Sequence, residues 1–314
     1  MRKLAILSAA LAGTFAALVP ATPARAVFTQ TFVKSDGNDA NDCSRPRPCA
    51  TFTRAISQTF AAGVVSCLDS GPYGFDVIAG SVTIDCAGGV VMAFAGQNAL
   101  TINGAGIVVI LRNMTIDSSN PSTPGAIGIN VLQAASVHIE NCTIRGFTSN
   151  AAQGIRIDPT SGFTTVSIVD TVISDNGLGV FALGAQGVLV KLDRVQMNSN
   201  LFGGFRASGA NGAVFANVVD SAADLNGTHG FVASSPAGGQ AVVLDIQRSG
   251  ASLNQQDGIL ADGAGASITI GASRVIANTT GLARTNGGAI LSYGDNRVDN
   301  NSTNGSPSGM VGTM

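Results

Sequence analysis

In the stretch VHIENCTIRGF (137–147), apolar Val137 and Ile139 alternate with polar His138 and Glu140. Period-two alternation predicts a half-buried strand. Asn141-Cys142 interrupts it, and a second short strand runs to Gly146. LRNMTI (111–116) and IVDTVI (168–173) repeat the design. Anchored on the corner residue, the series reads Asn113, Asn141, Asp170, Asp193, Asp220, Gln247, Ser273 and Asn296, with Asp85 one period earlier. A second series sets glycine before an apolar residue: Gly128-Ile129, Gly154-Ile155, Gly179-Val180, Gly204-Phe205, Gly230-Phe231, Gly258-Ile259 and Gly281-Leu282. Two interleaved series with one period of about 26 residues signal a solenoid.

One period holds about three strand-like bits separated by Gly, Asn, Asp or Ser, with no room for a helix of ten residues. The predicted fold is therefore all-β: a parallel β-helix of about 8–9 coils of roughly 26 residues, right-handed by the general crossover rule for parallel strands, with a short N-terminal helical cap. At about 4.8 Å per coil the rod is roughly 40 Å long. Ile129, Ile155, Val180, Phe205, Phe231, Ile259 and Leu282 should form one inward column. The preceding glycines would turn the corner by accepting positive φ, and Asn or Asp would serve the other corner. Asn141 reads as a corner residue, able to join an amide ladder along the axis. Phe147, Phe181 and Phe202 are expected to pack inward.

Before the repeats, Arg2 and Lys3, apolar Leu4 to Val19, and Ala24-Arg25-Ala26 read as a secretory signal peptide over 1–26. Residues 27–70 are expected to form a disulfide-stapled loop and a cap helix, with Phe52, Ala55, Ile56 and Phe60 at helical spacing. The β-helix follows over 71–299, and a polar, flexible tail over 300–314. Without Arg2, Lys3 and Arg25 the chain carries 14 basic and 19 acidic residues, a net charge of −5. That balance excludes nucleic acid as a partner class. No later run approaches the length of a membrane span. Secretion makes disulfides plausible, and proximity favours Cys43–Cys49 and Cys67–Cys86, leaving Cys142 as a buried thiol. No Cys/His spacing fits zinc.

SDGNDANDCSRPRPCATFTRAI (35–56) resembles the N-terminal signature of secreted right-handed β-helix proteins of the pectate lyase-like superfamily. ENCTIRGF and GDNRVDNN resemble its coil motifs. The resemblance implies fold and compartment, secreted or periplasmic, more than activity, because the superfamily includes lyases, hydrolases, epimerases and adhesins. Its hydrolases use paired aspartates, since one carboxyl donates a proton while another activates water. This chain offers no Asp-Asp pair. THG (228–230) and RID (156–158) are partial echoes, and His229 has no aspartate one coil back. The lyases hold calcium in a carboxylate cluster. Asp170, Asp193 and Asp220 fall in register, at positions that turn chemistry also explains, so calcium stays open while no other cofactor is implied.

The densest charged stretch in the repeats suggests a site of His138, Glu140, Arg145 and Arg156. His138 would act as base and an arginine would bind a uronate carboxylate. Asp117 should pair with Arg145 one coil on. The plainer reading of all four is a solvated face of ordinary coils. With no Trp and only Tyr73 and Tyr293, sugar-stacking platforms are scarce. The leading functional expectation is a secreted protein that binds extracellular polysaccharide or serves a structural role at the cell envelope. The alternative is a polysaccharide lyase-like enzyme acting on acidic, uronate-containing glycans.

Overall fold

A computed structural model describes residues 28–74, 76–93, 96–118, 124–149 and 152–312; the expected signal peptide lies outside them. The chain winds into a parallel β-helix with three faces. Face one is a nine-stranded sheet running from Asp76–Ile78 to Thr280–Thr285. Face two starts at Phe28–Val33 and continues coil by coil to Ala289–Ser292 and Gly309–Met310. Face three carries the shortest strands, such as Thr143–Arg145 and Arg274–Ile276. In its middle coils it narrows to single bridges at Gln196 and Ala222.

The predicted inward column exists. Ile129, Ile155, Val180, Phe205, Phe231, Ile259 and Leu282 pair in register on face one. None is more than 5% exposed. Val137, Val166, Val190, Ala216, Leu244, Ile268 and Ile290 form the facing column on face two. Stacking buries what a single coil would leave open, which is why the repeat folds only as an array.

The glycines beside the first column serve a different purpose from the one expected. None of them has positive φ. A Cβ on Gly128 would stand 2.4 Å from the Gly154 carbonyl oxygen, and one on Gly179 would stand 2.4 Å from that of Gly204. Close approach between coils, rather than turning, requires glycine here. Two corners are left-handed: one between faces three and one, at Asp175, Ser199, Leu225, Leu253, Ala277 and Asn300, and one between faces two and three. Asn113, Asn141, Asp170 and Asp220 occupy the latter as expected, with φ between 49° and 58°. In three coils the expected anchors Asp193, Gln247 and Ser273 stand one residue away, and Arg194, Arg248 and Ala272 adopt the left-handed conformation; Asp85 and Asn296 stand two residues from left-handed Ala87 and Gly294.

At the corner between faces three and one, Asn176, Asn200, Asn226, Asn254, Asn278 and Asn301 form a ladder. Each Nδ2 donates to the next Oδ1 at 2.9–3.2 Å. The first four are no more than 2% exposed.

The cap helix spans Phe52–Gln58, with Thr51 accepting from the Arg54 N–H at 3.1 Å. Asp39 in turn accepts from the Ala50 and Thr51 N–H groups. Phe52 packs on Tyr73, ring centroids 5.1 Å apart. Phe60 lies beyond the helix, exposed on Thr59–Cys67, which already belongs to face two. The solenoid therefore begins before residue 71. Cys43–Cys49 and Cys67–Cys86 are bonded, and Cys142 is a buried free thiol. Burial pushes that thiol up to about 11, so it is chemically quiet. The expected tail is instead part of the last coil. Asn301 ends the ladder, Thr303 bridges to Thr280, and Gly309–Met310 pairs with Ala289–Ser292. No helix among the described residues is long and apolar enough to cross a membrane.

Candidate functional site

Each face-one strand carries glycine and an apolar residue inward and sets the flanking positions on the outer side, where Asn130, Gln153 and Val232 are themselves buried. One outward column reads Gln153, Leu178, Gly203 and His229, with Asp257 following on the next strand. The next reads Asn130, Arg156, Phe181, Arg206, Val232 and Leu260. Gly203 lacks a side chain between Leu178 and His229, which leaves a notch. The notch opens into a cavity of about 200 Å³ lined by Leu178, Phe181, Phe202, Arg206 and His229, among others.

His229 and Asp257 occupy equivalent places on neighbouring coils. Nδ1 of the histidine lies 3.0 Å from Oδ2 of the aspartate, with both side chains largely shielded. The two atoms are in ion-pair contact but not aligned as a hydrogen bond. A carboxylate there favours the tautomer protonated on Nδ1 and leaves Nε2 for a ligand.

Arg206 and Arg156 each stack over the Phe181 ring at 5.9 Å. Arg156 is also held by Asp158 at 2.7 Å. Arg206 has no ion pair among the described residues, so its guanidinium is available to an anion. Its field contributes a small part to Asp262, whose carboxyl is held below the usual range first by hydrogen bonds from Thr285 and Asn286. Phe202 is 47% exposed at the rim. Phe181 is half-buried between the arginines. Of the three phenylalanines expected inside, only Phe147 is buried.

The four residues suggested by the sequence do not meet. His138 and Glu140 lie on face two, Arg145 on face three and Arg156 on face one. His138 contacts Ser136 Oγ at 3.0 Å. Arg145 pairs with Asp117 at 2.8 Å, as the coil spacing predicts. Only Arg156 stands near the cavity.

No protein-family model matches the chain, and no curated protein sequence does. Solved structures do. Pectate lyase Pel9A aligns with a TM-score of 0.64 at 16% identity, over 84% of this chain and 74% of its own. This chain has the pectate lyase-like β-helix fold. A lacto-N-biosidase from Eubacterium ramulus aligns with a TM-score of 0.46 at 9% identity, over 90% of this chain and 66% of that one. A periplasmic alginate epimerase aligns with a TM-score of 0.36 at 15% identity, over 74% and 60%. At these identities the likeness concerns the fold.

A calcium cradle of the kind this fold can carry does not fit the residues present. Among the described residues no three His, Cys, Asp or Glu side chains gather. The corner aspartates are already paired: Asp170 with Arg194, Asp193 with Arg194 and Lys191, and Asp220 with Arg248. On face one, Asp257 faces His229 and Asp158 faces Arg156.

The sequence passed over the His229–Asp257 pair because an aspartate was sought one coil back, whereas it lies one coil ahead. The signal was present in the glycine series, where His229 precedes Gly230 as Asp257 precedes Gly258.

Proposed function

We propose that this chain is an extracellular, polysaccharide-active β-helix protein that binds an acidic glycan along face one and cleaves it by β-elimination. The observation that carries the reading is the His229–Asp257 pair beside the unpaired Arg206. Arg206 would hold a uronate carboxylate in a charge-assisted, bidentate contact, which also acidifies the adjacent C5–H. His229 Nε2 would take the C5 proton. The C5–H electron pair then forms the C4=C5 double bond as the C4–O bond breaks. The imidazolium, or a water, returns a proton to the departing oxygen, so atoms and charge balance. Phe181 and Phe202 supply the apolar walls against which a sugar ring can lie. The two disulfides suit an oxidising compartment, and the neighbour that shares the fold, Pel9A, is a pectate lyase.

A second reading is favoured by the mostly apolar lining of the cavity: the groove binds glycan without cutting it. One experiment separates the two. The protein is incubated with a panel of uronate polymers, with and without calcium, while unsaturated-uronate absorbance and glycan binding are followed. Cleavage abolished in His229→Ala, with binding lost in Arg206→Ala, is the expected result. Binding without absorbance leaves the second reading, and neither binding nor absorbance on any polymer overturns both.

A further inference from the structure

Face two carries a surface that the groove on face one does not use. Leu189, Phe215 and Val243 stand outward in register on three consecutive coils and are 36–43% exposed. Exposed Phe163 lies beside Gly187, two residues before Leu189. Beside this apolar column runs a polar one: Ser167, Lys191, Asn217, Asp245 and Thr269. A third follows: Val169, Asp193, Val219, Gln247 and Gly271.

The chemistry of the patch is symmetric about the coil that holds Phe215, Asn217 and Val219. One coil before and one coil after, Leu189 answers Val243, Lys191 answers Asp245, and Asp193 answers Gln247. Two coils away, Thr165 answers Ser267 and Ser167 answers Thr269. Consider a two-fold axis lying in the plane of the face, across the strand stack at Phe215. It reverses the direction of the rod in a second copy and keeps each column opposite itself. Leucine then meets valine, Phe215 meets Phe215, lysine meets aspartate, and no like charges oppose. A closed two-fold interface requires this kind of self-complementarity.

The charges inside the patch keep capacity for such a partner. Asp245 accepts from Asn217 at 3.2 Å and Gln247 at 2.7 Å and has no cation among the described residues. Lys191 lies 3.0 Å from Asp193, a carboxylate already shared with Arg194 at 2.6 Å.

We infer that face two is a docking surface for a second copy of this chain, packed antiparallel through Phe215. Five coils of six-residue strands span roughly 20 Å by 20 Å, an area smaller than permanent interfaces bury, so the dimer is concentration-dependent rather than permanent. It leaves face one of both copies open.

Sedimentation velocity over a concentration series tests the inference. The wild type should dimerise. Lys191→Glu and Asp245→Lys should each weaken association by about tenfold or more, and the double variant should restore it. Thermal melts by circular dichroism check that all variants fold. As an independent probe, Asn217→Cys should yield a covalent dimer with a short bismaleimide, because stacked sheets lie about 10 Å apart. Ser174→Cys on face three should not. A wild type that stays monomeric throughout, or a double variant no better than either single one, overturns the proposal.

Discussion

Asparagine stacks on asparagine at two corners of this molecule, and burial gives the two stacks different work. Between faces two and three, Asn141 donates to Asn113 at 2.9 Å and Asn113 to Asp85 at 3.0 Å, at the surface. In later coils the same corner passes to Asp–Arg pairs such as Asp170–Arg194 and Asp220–Arg248. Between faces three and one the ladder is buried, and every rung also bonds backbone. Asn226 donates to the Met197 carbonyl at 3.1 Å, and its Oδ1 accepts from the Asn200 N–H at 3.0 Å. At the wet corner water can replace any partner, so asparagine, aspartate, arginine and alanine all occur there. At the dry corner an unmade hydrogen bond has no substitute, and asparagine persists over six coils.

The comparison is anchored by the apolar column, where the largest effect is expected. Phe231→Ala removes a fully buried ring from the stack and should cost about 3–5 kcal/mol in urea melts. An unchanged midpoint would mean that the column does not hold the coils together. Asn226→Ala should come next. It strands the Asn200 N–H and the Met197 carbonyl, at about 1–3 kcal/mol for each buried group. If it behaves like a surface substitution, the dry ladder is ornamental and the contrast between corners fails.

Asn141→Ala should cost about 1 kcal/mol, mainly because alanine disfavours the left-handed backbone at φ 50°. Asn141→Gly should recover that loss. If glycine is as poor as alanine, the exposed amide contact matters more than conformation.

The smallest effect belongs to Arg194→Ala, which should lower the midpoint at neutral pH by no more than an exposed ion pair contributes. Arg194 beside Asp170, and Arg248 beside Asp220, hold these carboxyls below the usual range. A carboxyl lowered on folding stabilises the protein above its unfolded value, near 3.9, and that contribution is lost as pH falls through the folded value. The small deficit of the variant should therefore be greatest near neutral pH, vanish as pH falls through the folded value, and shrink in high salt.

Much of the architecture was legible. The glycine–apolar series located every member of one inward column from Ile129 to Leu282, because burial imposes one chemistry at one spacing. The corner series located Asn113, Asn141, Asp170 and Asp220 but slipped by one at Asp193, Gln247 and Ser273. There the left-handed residue is Arg194, Arg248 or Ala272, none of which announces a turn. The buried ladder recurs plainly at Asn176, Asn200, Asn226, Asn254, Asn278 and Asn301, yet asparagine is frequent enough in the loops of this chain to conceal it. The candidate site was less legible. His138, Glu140, Arg145 and Arg156 are close in sequence, and a coil distributes neighbours in sequence over three faces.

The sequence by itself determined the repeat, the strand phase and therefore the β-helix, since period and alternation follow directly from which side chains water excludes. It also sufficed to choose both disulfide pairs. Only the tertiary structure decided which surface groups meet. His229 reaches Asp257, Arg206 reaches Phe181, and Lys191 shares a face with Asp245, each across a gap of roughly one or two coils. Lateral contacts in a solenoid depend on the register between coils, and a one-residue slip turns a side chain to the opposite side of the sheet. Coil lengths here vary by several residues, so the period alone leaves that register open.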